Sequence, residues 1–72
     1  MARQTAAYGR FRQRLRLARE RAGLSQAEAT RLLGKRDRAY LWKCENGERR
    51  VDAVELTEFA RAYKVPITFF YE

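Results

Sequence analysis

Turn-forming residues divide this chain into a few short segments. Gly23 and Gly34 each follow an apolar run, Asn46-Gly47 follows a third, and Pro66 lies just beyond a fourth. Glycine after the last apolar residue of a run, and proline just beyond its end, are typical signals of helix termination. No alternating apolar and polar pattern surrounds Asn46-Gly47, so a hairpin is not predicted there. The positions of these turn-forming residues therefore predict an all-α domain of short helices joined by tight turns.

Apolar periodicity and capping signals predict where the helices lie. Apolar residues recur at spacings of three and four over about residues 8–22, as in an amphipathic helix. Ser25 with Glu28, and Asp52 with Glu55, have the spacing of capping boxes at helix starts. The predicted elements are helix 1 over about 8–22, helix 2 over about 25–33, helix 3 from a cap at Asp37 to about 45–47, helix 4 from Asp52 to about 64–66, and one apolar turn at Ile67–Tyr71.

The length of the chain, 72 residues, allows one domain. A domain of this size buries only about 60% of its unfolded surface, so a partner subunit would add stability. We expect residues 1–7 to be a flexible N-terminus and residues 8–72 to form the domain.

Basic side chains are concentrated in the first part of the chain. Residues 1–50 hold 14 basic and 5 acidic side chains, a net charge of +9, whereas residues 51–72 hold 2 and 4, a net charge of −2. Arginine outnumbers lysine 13 to 3, and its planar guanidinium suits phosphate groups and guanine edges. This distribution indicates a polyanionic partner that approaches from one side, with a merely solvated basic surface as the alternative.

The reactive side chains that the sequence contains argue against an enzyme and against a metal-binding protein. The chain has no histidine, no glycine-rich phosphate loop and no carboxylate cluster. Its one cysteine, Cys44, can form neither an internal disulfide nor a tetrahedral zinc site, and we expect it in the core. The sequence also lacks an apolar run long enough to cross a membrane and the apolar core of a signal peptide. We therefore expect a cytoplasmic, non-enzymatic protein that uses no cofactor.

Several fragments, in their order and spacing, resemble the Cro and phage-repressor type of helix-turn-helix domain, also called the xenobiotic-response-element family. The fragments are Leu24-Ser25-Gln26-Ala27-Glu28, Leu33-Gly34, Glu45-Asn46-Gly47-Glu48-Arg49-Arg50, Val51-Asp52-Ala53-Val54-Glu55, Ala60-Arg61-Ala62 and Val65-Pro66. The resemblance covers about residues 10–71. It implies a compact five-helix lambda-repressor-like domain in which helices 2 and 3 form the helix-turn-helix.

The family resemblance further implies a bacterial or phage-encoded transcriptional regulator, a repressor or an antitoxin-like autoregulator, acting at the nucleoid. Helix 3 would read the major groove of double-stranded DNA. The expected DNA-binding residues are Gln26, Arg36, Arg38, Ala39, Tyr40, Trp42, Lys43, Asn46, Arg49 and Arg50. The resemblance also implies a structural ion pair between Arg19 and Glu45. Between Gly34 and Glu45 the chain has one residue more than the usual pattern, which the turn or the start of helix 3 must absorb.

Within this set, each residue has an expected role. Arg38 and Lys43 would read guanine or bind phosphate, and Trp42 would pack on a thymine methyl or a sugar, unless it turns into the core. Tyr40 is expected at the edge of the interface. Gln26 at the start of helix 2 would contact a phosphate, as would three residues after helix 3, which are Asn46, Arg49 and Arg50.

Partners other than DNA are also consistent with the sequence. The C-terminal aromatic segment is a candidate homodimer contact, formed by Ile67, Phe69, Phe70 and Tyr71. A protein-interaction adaptor or inhibitor, which keeps the fold without specific DNA binding, is the alternative function. RNA binding is a weaker option, because the chain lacks the stacking platforms of the usual single-strand modules.

Overall fold

The computed structural model describes residues 5–72, which form four α-helices and a C-terminal 3₁₀ helix. The helices are α1 (Ala6–Arg21), α2 (Gln26–Leu32), α3 (Tyr40–Glu45) and α4 (Ala53–Tyr63), and the 3₁₀ helix is Ile67–Tyr71. No strand occurs in this part of the chain, so the predicted all-α class is confirmed. The five-helix expectation is corrected, because the last element is a short 3₁₀ turn and not a fifth α-helix. Within residues 5–72, no helix has the length and apolar character needed to cross a membrane.

Helix α1 begins earlier than its apolar periodicity predicted. The Thr5 hydroxyl accepts a hydrogen bond from the Tyr8 amide at 3.0 Å, which caps the helix and brings Ala6 and Ala7 into it. Helix α1 thus includes two residues of the predicted N-terminal segment 1–7, and the flexibility of that segment stays a prediction. Residues 1–4 of that segment lie outside the described residues.

The two predicted capping boxes are confirmed. At α2, the Glu28 amide donates to the Ser25 hydroxyl at 3.0 Å and the Ser25 amide donates to the Glu28 carboxylate at 2.8 Å. At α4, the same reciprocal pair joins Asp52 and Glu55 at 2.7 and 3.0 Å. These caps satisfy amides that have no partner inside the helix, so they define where both helices begin.

Helix α3 is shorter than predicted. Asp37 accepts a hydrogen bond from the Ala39 amide at 2.9 Å, which closes a turn before the helix and does not cap it. As a result α3 starts at Tyr40, and Arg38 and Ala39, expected on helix 3, precede it. The connection between α2 and α3 therefore runs over residues 33–39.

The core forms where α1 packs against α3, α4 and the 3₁₀ helix. The largest fully buried side chains are Leu15, Leu41, Cys44, Phe59 and Phe70. Phe69 is also buried, at 7% exposure. The expected homodimer contact is thus corrected for Phe69 and Phe70, because both rings fill the core and are not available to a partner. Ile67 and Tyr71 remain exposed.

Helix α4 ends at a residue with an unfavourable backbone conformation. Lys64 has φ 57° and ψ 45°, and its amide donates to the carbonyls of Ala60 and Arg61. This left-handed conformation favours glycine, because a Cβ atom there crowds the backbone.

We expect Lys64→Gly to raise the free energy of unfolding by about 0.5–1 kcal/mol, because glycine relieves the strain of the left-handed conformation. The gain is smaller than the strain itself, because glycine also has more conformational freedom in the unfolded chain. Urea denaturation measures the change. Lys64→Ala is the control, because it removes the charge and keeps the Cβ atom. An equal gain in both variants would assign the effect to the charge and contradict this account.

Candidate nucleic-acid interface

An ion pair fixes α3 against α1. The Arg19 guanidinium binds the Glu45 carboxylate through two contacts, Nε to Oε2 at 2.7 Å and Nη2 to Oε1 at 3.2 Å. Arg12 donates from Nη1 to the Glu45 backbone carbonyl at 3.0 Å, and Gln26 donates from Nε2 to Glu45 Oε1 at 3.1 Å. Glu45 therefore joins α1, the start of α2 and the end of α3. This arrangement holds the helix pair in one orientation, while the phosphate contact expected of Gln26 stays a prediction.

The outward face of α3 carries one large aromatic side chain. Trp42 is 49% exposed, so the structure has it outside the core, and the inward alternative does not occur. Lys43 lies beside it but is paired with Asp37, with Nζ to Oδ2 at 2.8 Å. The Asn46 side-chain amide donates to the Trp42 carbonyl at 2.9 Å. Trp42 is thus the group on this face that is most available for an apolar contact with a base.

The connection before α3 contributes unpaired positive charge. Arg36 and Arg38 are exposed, and neither forms an ion pair, a hydrogen bond or a ring contact with any residue of the range 5–72. Ala39, which follows them, is half-buried at the start of α3. The two guanidinium groups are therefore free to meet an anion at the connection that leads into α3.

Tyr40 corrects an expectation, because it lies in the core and not at the edge of the interface. Its ring is 5% exposed and stacks on Phe59 with the ring centroids 6.2 Å apart. Its hydroxyl donates to the Glu55 carboxylate at 2.9 Å, and burial together with this bond raises the pKa of Tyr40. Tyr40 is thus a structural residue that connects α3 to α4.

The two arginines after α3 differ in how firmly the fold holds them. Arg49 is 2.7 Å from Glu55 Oε2, and its guanidinium lies 5.0 Å from the centre of the Tyr40 ring. Arg50 lies 4.9 Å from the centre of the Tyr8 ring and has no carboxylate partner in the described chain. Only Arg50 of this pair therefore keeps its charge uncompensated near the end of α3.

Sequence reasoning missed several residues that the structure brings to this region. Arg12 supports the end of α3 through its hydrogen bond to the Glu45 carbonyl, a role that was not predicted for it from the sequence. Thr30, Arg31 and Lys35 lie with Arg36 around a cavity beside the turn. No signal in the sequence indicated this grouping, because Lys35 lies beyond the last residue of α2 and the four-residue spacing rule holds only within a helix.

One of the comparisons with known proteins gives a match. A family model described as a helix-turn-helix domain matches residues 10–68. No curated protein and no solved structure matches the chain. The matched range contains α2, the connection and α3, and it is consistent with the DNA-binding domain type that the sequence resembles. Proteins of this kind are generally not enzymes, and residues 5–72 contain no cluster of three or more His, Cys, Asp or Glu that could hold a metal ion. The chain belongs to the helix-turn-helix domain family.

Proposed function

We propose that the protein is a sequence-specific, double-stranded-DNA-binding transcriptional regulator that reads the major groove with α3. The role is that of a repressor or an antitoxin-like autoregulator, exercised in the cytoplasm at the nucleoid. The observation that carries the proposal is that α3 exposes Trp42, while the connection leading into α3 exposes the unpaired Arg36 and Arg38. A helix that enters the groove needs side chains that meet base edges and cations that meet the flanking phosphates.

Selection from random duplexes tests this function. The full chain is mixed with a pool of random double-stranded DNA, and the bound molecules are amplified and sequenced over several rounds. The proposal predicts that one motif is enriched. If the protein binds as a dimer, the motif should contain two half-sites whose centres are about 34–36 Å apart. Retention of the pool without enrichment would contradict sequence-specific regulation.

Replacement of Trp42 tests the reading face. We expect Trp42→Ala to reduce the preference for the selected motif over a scrambled duplex roughly tenfold, because the apolar contact with a base is lost. Fluorescence anisotropy with both duplexes measures the ratio of the two dissociation constants. Tyr71→Ala is the matched control, because it removes an exposed aromatic ring from the 3₁₀ helix. Equal ratios for wild type and Trp42→Ala would exclude Trp42 from base recognition.

A specific observation favours the alternative function of a protein-interaction adaptor or inhibitor. A groove of about 460 Å³ is lined partly by apolar residues that include Tyr8, Phe11, Leu56 and Tyr71. Tyr71 is 68% exposed, and Val54 at the start of α4 is 71% exposed. These side chains offer apolar area to a protein partner or to a second copy of the chain. An absence of motif enrichment in the selection would favour this alternative.

A further inference from the structure

A cavity of about 460 Å³ lies beside the end of α2 and the connection to α3. The residues that line it are Ala27, Thr30, Arg31, Lys35, Arg36 and Arg38. We call this feature the turn cavity. Its volume lies within the range of small-ligand pockets, roughly 300–1,000 Å³. Four of its six lining residues are cations, so its walls favour an anionic occupant.

Most of this positive charge has no partner within the protein. Lys35 is 3.4 Å from the Glu58 carboxylate and 5.2 Å from the centre of the Tyr40 ring. The guanidinium groups of the other three cations form no ion pair or hydrogen bond with the described residues; these are the side chains of Arg31, Arg36 and Arg38. Like charges around one concave surface repel each other, and a bound anion would remove that repulsion.

The neighbouring carboxylates are already engaged elsewhere. Asp37 is paired with Lys43 and accepts the Ala39 amide, and these bonds lower its pKa. Glu28 caps α2 through Ser25 and acts on Arg31 only at longer range. The acidic groups nearest in sequence thus leave the guanidinium groups of the turn cavity uncompensated.

The end of α2 does not require these cations as caps. Its last carbonyls accept backbone hydrogen bonds, from Leu33 to Ala29 at 3.0 Å, from Gly34 to Arg31 at 2.9 Å and from Lys35 to Thr30 at 3.1 Å. A basic side chain near a helix end commonly stabilises such carbonyls. Here that need is already met, so the three arginines of the turn cavity are not required to cap α2.

The wall of the turn cavity also contains an unsatisfied hydroxyl. Thr30 is 4% exposed, and its Oγ1 has no hydrogen-bond partner. A buried hydroxyl without a partner costs free energy. Threonine has two accessible side-chain rotamers in a helix, so its hydroxyl can turn to donate to a nearby oxyanion.

We propose that the turn cavity binds a phosphate group, and that in the DNA complex this group is a phosphodiester of the duplex backbone. The assignment of this phosphate to the DNA backbone rests on the proposed function. Guanidinium groups bind phosphate oxygens through paired, charge-assisted hydrogen bonds, and the Thr30 hydroxyl adds a neutral donor. Arg36 and Arg38 thereby anchor the backbone jointly with Arg31, and base reading is left to α3.

The first arm of the test uses inorganic phosphate and the full chain without DNA. Heteronuclear NMR follows the Thr30 amide and the arginine side chains against sodium chloride of matched ionic strength. We expect saturable shifts at Thr30 and at the three arginines of the turn cavity. Binding should weaken at least tenfold in Arg31→Gln/Arg36→Gln/Arg38→Gln and several-fold in Thr30→Val. Uniform shifts over all arginines would overturn the site.

The matched control removes three exposed cations that lie outside the turn cavity and form no ion pair in the described chain. It is Arg10→Gln/Arg61→Gln/Lys64→Gln. Both triple variants lose the same charge, so their difference isolates the geometry of the cavity from the general field. Equal weakening of phosphate binding in the two triples would overturn the proposal.

The second arm tests whether the phosphate belongs to DNA. The salt dependence of duplex binding has a log–log slope of about −0.9 for each phosphate that is neutralised. If the three arginines share one phosphate, the salt-dependence slope of the cavity triple variant should be shallower than that of the control triple variant by about 0.9. If each arginine neutralised a separate phosphate, the difference in slope would be about 2.7. Inorganic phosphate should also compete with the duplex. Phosphate binding without competition and without a change in slope would overturn the backbone assignment and identify a free phosphorylated ligand.

The two arms separate this inference from the proposed function. A failure to select any DNA motif would contradict the regulator, but it would leave the phosphate titration unaffected. If the protein selects a DNA motif but its turn cavity does not bind phosphate, only the cavity proposal is contradicted.

Discussion

Replacing Glu45 with alanine is expected to lower the free energy of unfolding by about 3–5 kcal/mol. The Glu45 side chain is 4% exposed and that of Arg19 is 11% exposed, so the variant would leave a nearly buried guanidinium without its counter-ion. Arg19 cannot avoid this cost by losing its proton, because a guanidinium group stays protonated in proteins even without a counter-ion. Small domains have total stabilities of about 5–15 kcal/mol. This one substitution therefore removes much of the stability.

The network around Glu45 explains why the loss should be large. Arg19 also donates from Nη1 to the Leu24 carbonyl at 2.8 Å, so its position is fixed from two sides. Gln26 would lose the acceptor of its side-chain amide. Urea denaturation of the variant measures the effect, and Glu48→Ala is the control, because Glu48 is exposed and three residues away. A loss below about 1 kcal/mol would show that the pair positions α3 without stabilising the fold.

Acid is expected to destabilise the protein through Glu55, by about 2 kcal/mol between pH 5 and the region of pH 2. Burial alone would raise the pKa of Glu55, but hydrogen bonds from Arg49, the Asp52 amide and the Tyr40 hydroxyl lower it from 4.5 to about 2. The folded-state pKa is below the unfolded value. The stabilisation is therefore fully present above about pH 4.5 and is lost as the pH falls through about 2.

The size of this acid effect follows from the same pair of pKa values. Their difference corresponds to about 3 kcal/mol, which we reduce to about 2 because solvent reaches the Arg49 side of the ion pair. Denaturation curves at several pH values measure the change in wild type and in Glu55→Gln, which keeps an acceptor for Tyr40. The variant should be less stable at pH 6 and should lose less stability on acidification. Glu58→Gln is the control, and parallel pH profiles for wild type and Glu55→Gln would contradict this assignment.

Sequence reasoning succeeded where a structural feature depends on neighbouring residues. The capping boxes of Ser25 and Asp52 were predictable because each one is closed by a side chain three positions away. The ion pair of Arg19 with Glu45 is also present, and it was accessible only through the family resemblance, since its partners are 26 positions apart.

Sequence reasoning failed where distant elements compete for a side chain. Tyr40 has the polarity of an edge residue, but Glu55 on α4 supplies a buried acceptor that draws its hydroxyl inward. Phe69 was expected at a homodimer contact, but the guanidinium of Arg14 lies over its ring, 4.0 Å from the ring centre. Asp37 is a residue type that commonly caps helices, but one of its carboxylate oxygens binds Lys43. The other accepts the Ala39 amide, which lies before the first residue of α3, so Asp37 closes a turn and does not cap the helix.

The turn cavity was not predictable for a related reason. Its cations come from the end of α2 and from an irregular connection, and periodicity assigns no direction to side chains in such a segment. Only the three-dimensional structure shows that they surround one space and that their nearest carboxylates are engaged elsewhere.

Amide chemical-shift mapping with the selected duplex tests most directly whether the face formed by α2, the connection and α3 binds DNA. We expect the largest shifts at Gln26, at Thr30 and Arg31, over residues 36–46 and at Arg50, and little change in α4 and the 3₁₀ helix. Largest shifts at Phe11, Leu56 and Tyr71, with Trp42 unaffected, would contradict this expectation and would assign binding to the apolar groove that these residues line.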